Sequence, residues 1–468
     1  MSGFTWTDAA VRSALSMNTD LADARIAYTG VSTDSRSVRP GSLYVALSGD
    51  RFDGHDFVAE AFAQGAAGAV VSRPVESGPE GRLYPVADTL KALGALAAHR
   101  RQALPSRVIA ITGSSGKTTT KELTRAAIEG RYRVHATAGN FNNRIGMPLT
   151  LLDAPDDVDV VVLELGTNEP GEIATLAAIA APDIGVVITV GEAHLEKLGS
   201  VDGVLEEKLD LLRAVAEGGD CVVGSDPEAL SVRARAICPG VRVAGWGDVA
   251  DDDLRPMEVE ADVFGGHRFQ WKGHVATLTL PGRHVVADAM IALAVSDLVG
   301  VPAATAVAGL SSVEATGMRG EVRRIGDVTV IVDCYNANPQ SVRAALELLG
   351  DQSTPARTVA VLGTMLELGE AAPDLHREVL ADALATGIDL VVAIGGFAEA
   401  AAAMNVDDER VLRADDWSVA YPELRARLAG DEVVLLKASR GIALEGMLPL
   451  LEADFGSSRS TTSMGLEG

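Results

Sequence analysis

The stretch VIAITGSSGKTTTKE, from Val108 to Glu122, constrains this chain more than any other. VIAIT is a short β-branched run without polar alternation, the pattern of a strand buried on both faces. A Gly/Ser loop follows, and Lys117 opens a helical pattern. A buried strand that turns directly into a helix needs helices on both sides, so the fold class is α/β with a parallel sheet. The loop also has a chemical consequence. Its successive backbone N–H groups and the helix N-terminus form a cradle for an anion. Gly113 and Gly116 permit the tight turn, Ser114, Ser115 and Thr119 complete the stretch, Lys117 can reach the β- and γ-phosphates of a nucleoside triphosphate, and the Thr118 hydroxyl can ligate Mg²⁺. Ile111 stands where the general G-x-x-x-x-G-K-[ST] pattern has its first glycine, so this loop is a shorter form. The rival account, a Gly/Ser turn that happens to precede a lysine, leaves the strand–loop–helix setting unexplained. A phosphate loop alone leaves kinase, ATPase and ligase open.

The same alternation continues on either side. VDVVVLEL precedes a helical pattern after Pro170, and DIGVVITV precedes one from Val201. MEVEADVFGGHRFQWKGHVATLTLPG reads as β-hairpins attached to that sheet, with helices from Val285 and Ala303 behind it. A second series, VTVIVDCY (328–335), RTVAVLG, LVVAIGG and EVVLLKA, predicts a C-terminal Rossmann-like unit. The first hundred residues are turn-rich with short strands, and 59–71 and 90–101 read as helical. At roughly 150 residues per domain, 468 residues suit three. We place them at 1–105, 106–316 and 317–455, followed by a Ser/Thr/Gly-rich tail, 456–468, that reads as disordered.

Charge excludes one large class of partner. With 65 acidic against 40 basic residues the formal charge is −25, which repels a nucleic-acid backbone. Cys221, Cys238 and Cys334 have no C-x-x-C spacing, so neither a disulfide framework nor a zinc site is expected, and a reducing compartment fits. No secretion signal is expected from MSGFTWTDAAVRSALS, and the apolar runs stop well short of the roughly 20 residues of a membrane span. A soluble cytoplasmic protein is the expectation.

Two further residues fall at the carboxyl ends of predicted strands, where open α/β sheets bind ligands. Glu164 ends VVLEL and could hold Mg²⁺; His194 follows VVITV and could ligate a metal or orient a carboxylate. Each also has an ordinary reading, as a helix cap and as a loop histidine.

GSSGKTTTKE, GNFNNRIGMPLTLL (139–152), ELGTNEPGEI (164–173), EAHLEKLGS (192–200), PGRH (281–284), DCYNANPQS (333–341), GTMLELG (363–369), HREV (376–379) and KASRG (437–441) occur in the order found in the Mur ligases, which this chain resembles from about Asp34 to Glu445. The phosphate loop is shared with folylpolyglutamate synthases. YNANPxS with MLELG is more specific and resembles the branch that joins D-alanyl-D-alanine to UDP-N-acetylmuramoyl-tripeptide; no DNPR-type segment of the diaminopimelate-adding branch is present.

The resemblance implies an N-terminal unit for the uridine nucleotide, a central ATPase and a C-terminal Rossmann-like unit. It also implies an ATP-dependent amide ligase of peptidoglycan precursor synthesis that works through an acyl phosphate with Mg²⁺, two ions, as a monomer. By the same resemblance Ser35, Arg36, Asp53, Gly54 and His55 hold the UDP-sugar peptide, and Lys117, Thr118, Glu164 and His194 hold ATP and Mg²⁺. Asn140, Asn143 and Thr167 meet substrate and phosphate, with a role as loop-forming residues as the alternative. Tyr335 and Asn336 lie on the adenosine side, while Lys437, Ser439 and Arg440 approach the reacting carboxylate and the dipeptide. Lys208, fourteen residues after His194, stands at the spacing where related Mur ligases carry a carbamylated lysine; the ordinary reading pairs it with Glu206, Glu207 or Asp210. Three positions depart from the pattern: Val285 and Asp288 replace the usual asparagines after PGRH, and Thr364 replaces an aspartate, while Glu367 is retained. The alternatives are a ligase of this fold that adds a single amino acid, and a nucleotide-binding scaffold without turnover.

Overall fold

The structure is a computed structural model that describes residues 4–49, 52–75, 82–215, 217–262, 265–315, 317–350 and 356–456. Apart from Gly456, the tail expected to be disordered lies outside these residues, as does Thr316 at the second boundary.

VIAIT forms the strand Arg107–Thr112 in the middle of a six-stranded parallel sheet. The order is Arg242–Ala244, Asp220–Gly224, Ile184–Val187, Arg107–Thr112, Val160–Glu164, Val134–Ala136. Every residue of Ile184–Val187 and of Val160–Glu164 is buried, which explains the unbroken apolar runs. The loop ends at Gly116, and the helix Lys117–Glu129 packs closely on Arg283–Leu298. MEVEADV…TLTL does not join this sheet. It forms a separate three-stranded antiparallel sheet, Met257–Ala261, His267–Trp271 and His274–Leu278. Phe269, Trp271, Ala276 and Leu278 from its strands enter the same apolar core as the helix Ala303–Leu310, so packing and not hydrogen bonding attaches it.

The N-terminal unit holds a four-stranded parallel sheet, Val31–Ser32, Leu43–Val45, Gly68–Val71 and Arg82–Pro85. Here the helix expected over 59–71 is only Val58–Ala63; Gly65, at φ +108°, breaks it and Gly68–Val71 is a strand. The helix Thr89–Ala103 packs against Gly146–Leu152 and Glu172–Ala180, so one apolar core runs from Trp6 and Leu43 through Leu93 to Leu163 and Leu176.

The C-terminal sheet runs Glu321–Ile325, Val328–Asp333, Val433–Lys437, Thr358–Leu362, Leu390–Ile394, Val411–Ala414, parallel except for the first hairpin. Its two apolar cores consist of C-terminal residues, and among the described residues Leu195 is the one central side chain packed at their edge. The central and C-terminal units therefore meet largely through polar groups, with Leu195 packed against an apolar core on each side. No helix among the described residues is long and apolar enough to cross a membrane.

Candidate active site

A cleft of about 1170 Å³ opens where the carboxyl ends of the central strands face the C-terminal unit. The phosphate loop forms its floor. Gly116 caps the helix Lys117–Glu129 with φ +78°, and a Cβ there would lie 2.8 Å from the Asp288 carboxylate, so glycine is required both by conformation and by space. Lys117 Nζ folds back to donate to Gly113 O at 2.8 Å. Burial lowers its pKa, Glu164 opposes that, and the Arg319 guanidinium adds to it.

Glu164 is 1% exposed and receives two side-chain donors, Thr118 Oγ1 at 2.9 Å and Asn142 Nδ2 at 2.7 Å. Its backbone N–H donates to Thr137 Oγ1 at 3.0 Å, which fixes the strand end. Both carboxylate oxygens thus sit beside the helix start that the phosphates would occupy. Among the described residues no three His, Cys, Asp or Glu side chains form a ready-made cage. The set Thr118–Glu164 instead suits a cation that takes one carboxylate, a hydroxyl and substrate phosphate oxygens, the habit of Mg²⁺.

Lys208, in the helix Val201–Arg213, is 1% exposed, and among the described residues no carboxylate forms an ion pair with it, although the charge of Glu207 acts on it from nearby. Glu206 is bound to Arg213 at 2.6 Å and to Arg233, Asp210 to Arg213 at 2.7 Å. Glu207 receives Thr167 Oγ1 at 3.2 Å and the N–H groups of Gly171 and Ile173 at 2.7 and 2.8 Å, capping the helix Glu172–Ala180. The ordinary ion-pair reading of Lys208 is thereby corrected. Burial first, then repulsion from Lys117, holds its pKa well below the usual lysine value, against the opposing charge of Glu207.

His194 caps the short helix Leu195–Leu198 in left-handed backbone and touches the C-terminal Glu367, Nδ1 to Oε2 2.6 Å. The opposite wall holds Lys437, whose buried Nζ meets Asp333 at 2.9 Å and Asn336 O at 2.8 Å. Ser439 Oγ receives the Leu366 N–H at 2.9 Å, and Arg440 pairs with Glu445 at 2.5 Å. Tyr335 and Asn336 line the cleft, with the Arg319 guanidinium 3.7 Å from the Tyr335 ring centre.

The structure brings most of the central and C-terminal candidates into this one cleft, but Gly113, Asn140, Lys208 and Ser439 are not among its lining residues, and the N-terminal five lie apart from it. Asp53 Oδ1 receives the His55 N–H at 3.0 Å and lies 2.6 Å from His55 Nδ1, while Ser72 N–H donates to His55 Nε2 at 2.8 Å. The proton therefore sits on Nδ1. A Cβ at Gly54 would meet Leu47 O at 2.7 Å, Arg36 pairs with Asp34 at 2.8 Å, and Ser35 Oγ lies 3.5 Å from Glu60. Tyr44, which donates to Gly54 O at 3.0 Å, is ringed by these acids and has its pKa pushed up to about 12, burial being the main cause.

Among the asparagines of GNFNNRIG, Asn142 and not Asn140 reaches Glu164; Asn140 is exposed and does not line the cleft. Asn143 lines it while accepting the Ile145 and Gly146 N–H groups at 3.1 and 2.9 Å, so it also builds the turn. Sequence reasoning passed over Asn142, Arg319 and Gln340; the run of asparagines was the one available signal for the first.

The family models described as "Mur ligase family, catalytic domain", "Mur ligase middle domain" and "Mur ligase, glutamate ligase domain" match residues 27–101, 111–296 and 318–440. The UDP-N-acetylmuramoyl-tripeptide--D-alanyl-D-alanine ligase of Bacillus subtilis (strain 168) is 36% identical, over 89% of this chain and 91% of its own length. That of Escherichia coli (strain K12) is 34% identical over 93% and 96%. Among solved structures, MurF from Acinetobacter baumannii superposes with a TM-score of 0.88 at 30% identity, covering 97% of this chain and 100% of that one. MurF from Thermotoga maritima in complex with ADP gives 0.79 at 28% identity, over 91% and 97%.

Proposed function

The chain belongs to the Mur ligase family, and we propose that it joins D-alanyl-D-alanine to the terminal carboxylate of UDP-N-acetylmuramoyl-tripeptide, converting ATP to ADP and phosphate. The product is the UDP-N-acetylmuramoyl-pentapeptide of peptidoglycan synthesis, which ties the enzyme to cell wall growth and division. A carboxylate resists an amine because its leaving group would be oxide. Transfer of the γ-phosphoryl group to that carboxylate gives an acyl phosphate, and the dipeptide amine then displaces phosphate through a tetrahedral intermediate.

Residues 113–119 cradle the triphosphate and Lys117 binds its outer phosphates. Tyr335 and Asn336 border the adenosine. Thr118, Glu164, His194 and a carbamylated Lys208 would hold Mg²⁺, two ions, which when bound neutralises charge on the phosphoryl group. Asn143 and Thr167 border the tripeptide carboxylate, Lys437, Ser439 and Arg440 orient the incoming dipeptide, and Ser35, Arg36, Asp53, Gly54 and His55 hold the uridine nucleotide. On this reading 1–105, 106–316 and 317–455 are the substrate, ATP and C-terminal domains of a cytoplasmic monomer. Closure of the cleft keeps water from the acyl phosphate.

The observation that supports this reading most directly is one cleft in which Lys117, Thr118 and Glu164 face Lys437 and Arg440. The test is phosphate release with candidate acceptors, with mass spectrometry of the product from a mixed precursor pool. We expect release that depends on D-alanyl-D-alanine and a pentapeptide product. Release driven by a single amino acid would indicate the other ligase class, and none at all a scaffold.

A further inference from the structure

Gln340 lies in the first turn of the helix Pro339–Gly350 in the C-terminal unit, yet among the described residues its side chain bonds only to the central unit. Its Nε2 donates to Thr189 Oγ1 at 2.7 Å and, more weakly, to Asp226 Oδ2 at 3.3 Å; its Oε1 accepts from Ser115 Oγ at 3.0 Å. These three partners follow Ile184–Val187, Asp220–Gly224 and Arg107–Thr112, which are neighbours in the sheet. One amide thus spans the carboxyl ends of three adjacent strands, and one of its contacts is a phosphate-loop hydroxyl. Gly191 closes around it, since a Cβ there would lie 3.1 Å from Gln340 Oε1.

Little else is positioned to do this. Among the described residues the apolar cores of the two units meet at Leu195, on the side of the boundary that also carries the Glu367 contacts to His194 and the Glu196 N–H, and Asn338 Nδ2 reaches Ser114 O only at 3.4 Å. The amide is also specific in kind. Its acceptor faces a hydroxyl and its donor faces a hydroxyl and a carboxylate, so a carboxylate at position 340 would lose the donor and confront Asp226.

We propose that Gln340 is a positioning residue that ties the phosphate loop to the seating of the C-terminal unit, so that phosphoryl transfer and amine attack take place in the same closed cleft. The inference rests on the ligase reading above. Without this tie the acyl phosphate forms in a cleft that water enters. Water then attacks the acyl carbon, the bond to the phosphate oxygen breaks, and the original carboxylate and free phosphate return. ATP is consumed without a peptide bond, so the ratio of phosphate released to pentapeptide formed reports on Gln340.

The experiment measures that ratio, and KM for ATP, for the full-length wild type, Gln340→Ala, Gln340→Glu and the near-isosteric Gln340→Met, with melting temperatures for each. The wild type should release one phosphate per product. In all three variants peptide formation should fall about tenfold, the loss expected from one or two missing hydrogen bonds, while phosphate release falls less and the ratio rises. Gln340→Met keeps the packing, so a rise there cannot come from a cavity. Variants that stay coupled one to one, whether fully active or slowed in both steps alike, overturn the inference and leave the ligase reading intact. A wild type with no acceptor-dependent phosphate release overturns both.

Discussion

His194 Nδ1 and Glu367 Oε2 meet at 2.6 Å across two units of the chain, and both residues hold left-handed backbone, at φ +55° and φ +66°. Such backbone costs about 1–3 kcal/mol at a non-glycine residue. The contact does not offset that as stability, because the Glu367 side chain is 54% exposed and pairs of that kind contribute roughly 0–1 kcal/mol. Strain at both ends of one contact fits a role in orienting the imidazole in the cleft that Glu164 also lines. Glu367→Gln should therefore lower ligation about 10–100-fold, as loss of a residue that orients a ligand typically does, with little change in melting temperature. A drop in melting temperature with activity retained would make the contact structural.

Lys117→Ala should remove most ATP turnover. Its Nζ donates to Gly113 O at 2.8 Å within the same loop, so the fold loses little. One missing charge-assisted contact to a phosphoryl group costs roughly 2–4 kcal/mol in the transition state. Steady-state kinetics check this, and near-normal ligation rates would remove the phosphate-loop reading.

Asp288 is 5% exposed, faces the Thr120 hydroxyl, and burial pushes its pKa up to about 8. Its carboxyl stays neutral in the folded chain while the unfolded chain ionises near pH 4, so stability falls as pH rises between those values and levels off above about 8. Asp288→Asn removes the effect. Its melting temperature should exceed that of the wild type by a margin that grows from pH 4 to 8. Because the carboxyl abuts Gly116, ionisation above pH 8 should also weaken ADP binding in the wild type alone. Equal pH profiles for the two proteins, in thermal melts and in calorimetric titrations with ADP, would contradict this.

How much of this was legible in the sequence depended on burial. Doubly covered strands such as Val160–Glu164 leave no choice of face, so an apolar run identifies them. Small residues carry no such signal: AFAQGAAGAVV suits helix or strand, and only the positive φ of Gly65 and pairing with Leu43–Val45 decide it. The strand Glu321–Ile325, EVRRI, is an edge strand in which only Ile325 is buried and Val322 is exposed, so it carries no apolar signal and the sequence reading begins this unit one strand later, at VTVIVDCY. In the site, spacing delivered Thr118 and Glu164 because each is fixed to the end of a regular element. Asn142 and Gln340 act through contacts between segments far apart in the chain, which spacing does not encode.

Lys208 presents the sharpest electrostatic conflict in the site. It is buried beside Lys117, and every carboxylate within two residues of it in sequence is engaged elsewhere, Glu206 and Asp210 by Arg213 and Glu207 by backbone N–H groups. An ammonium there would repel both Lys117 and any Mg²⁺ held by Glu164. Burial lowers the pKa, so a larger share of the amine is neutral, and the neutral amine is the form that adds carbon dioxide. A carbamate formed in this way would replace a cation with an anion that counters Lys117 and would offer oxygens to Mg²⁺. Intact-protein mass spectrometry under mild conditions should show one added carbon dioxide, absent in Lys208→Ala. That variant should bind ADP and lose ligation, and formate or acetate should restore part of the rate by filling the vacated place. Activity should also fall in buffer stripped of carbon dioxide and recover with bicarbonate. Full ligation by Lys208→Ala without added carboxylate would leave the lysine no part in the chemistry.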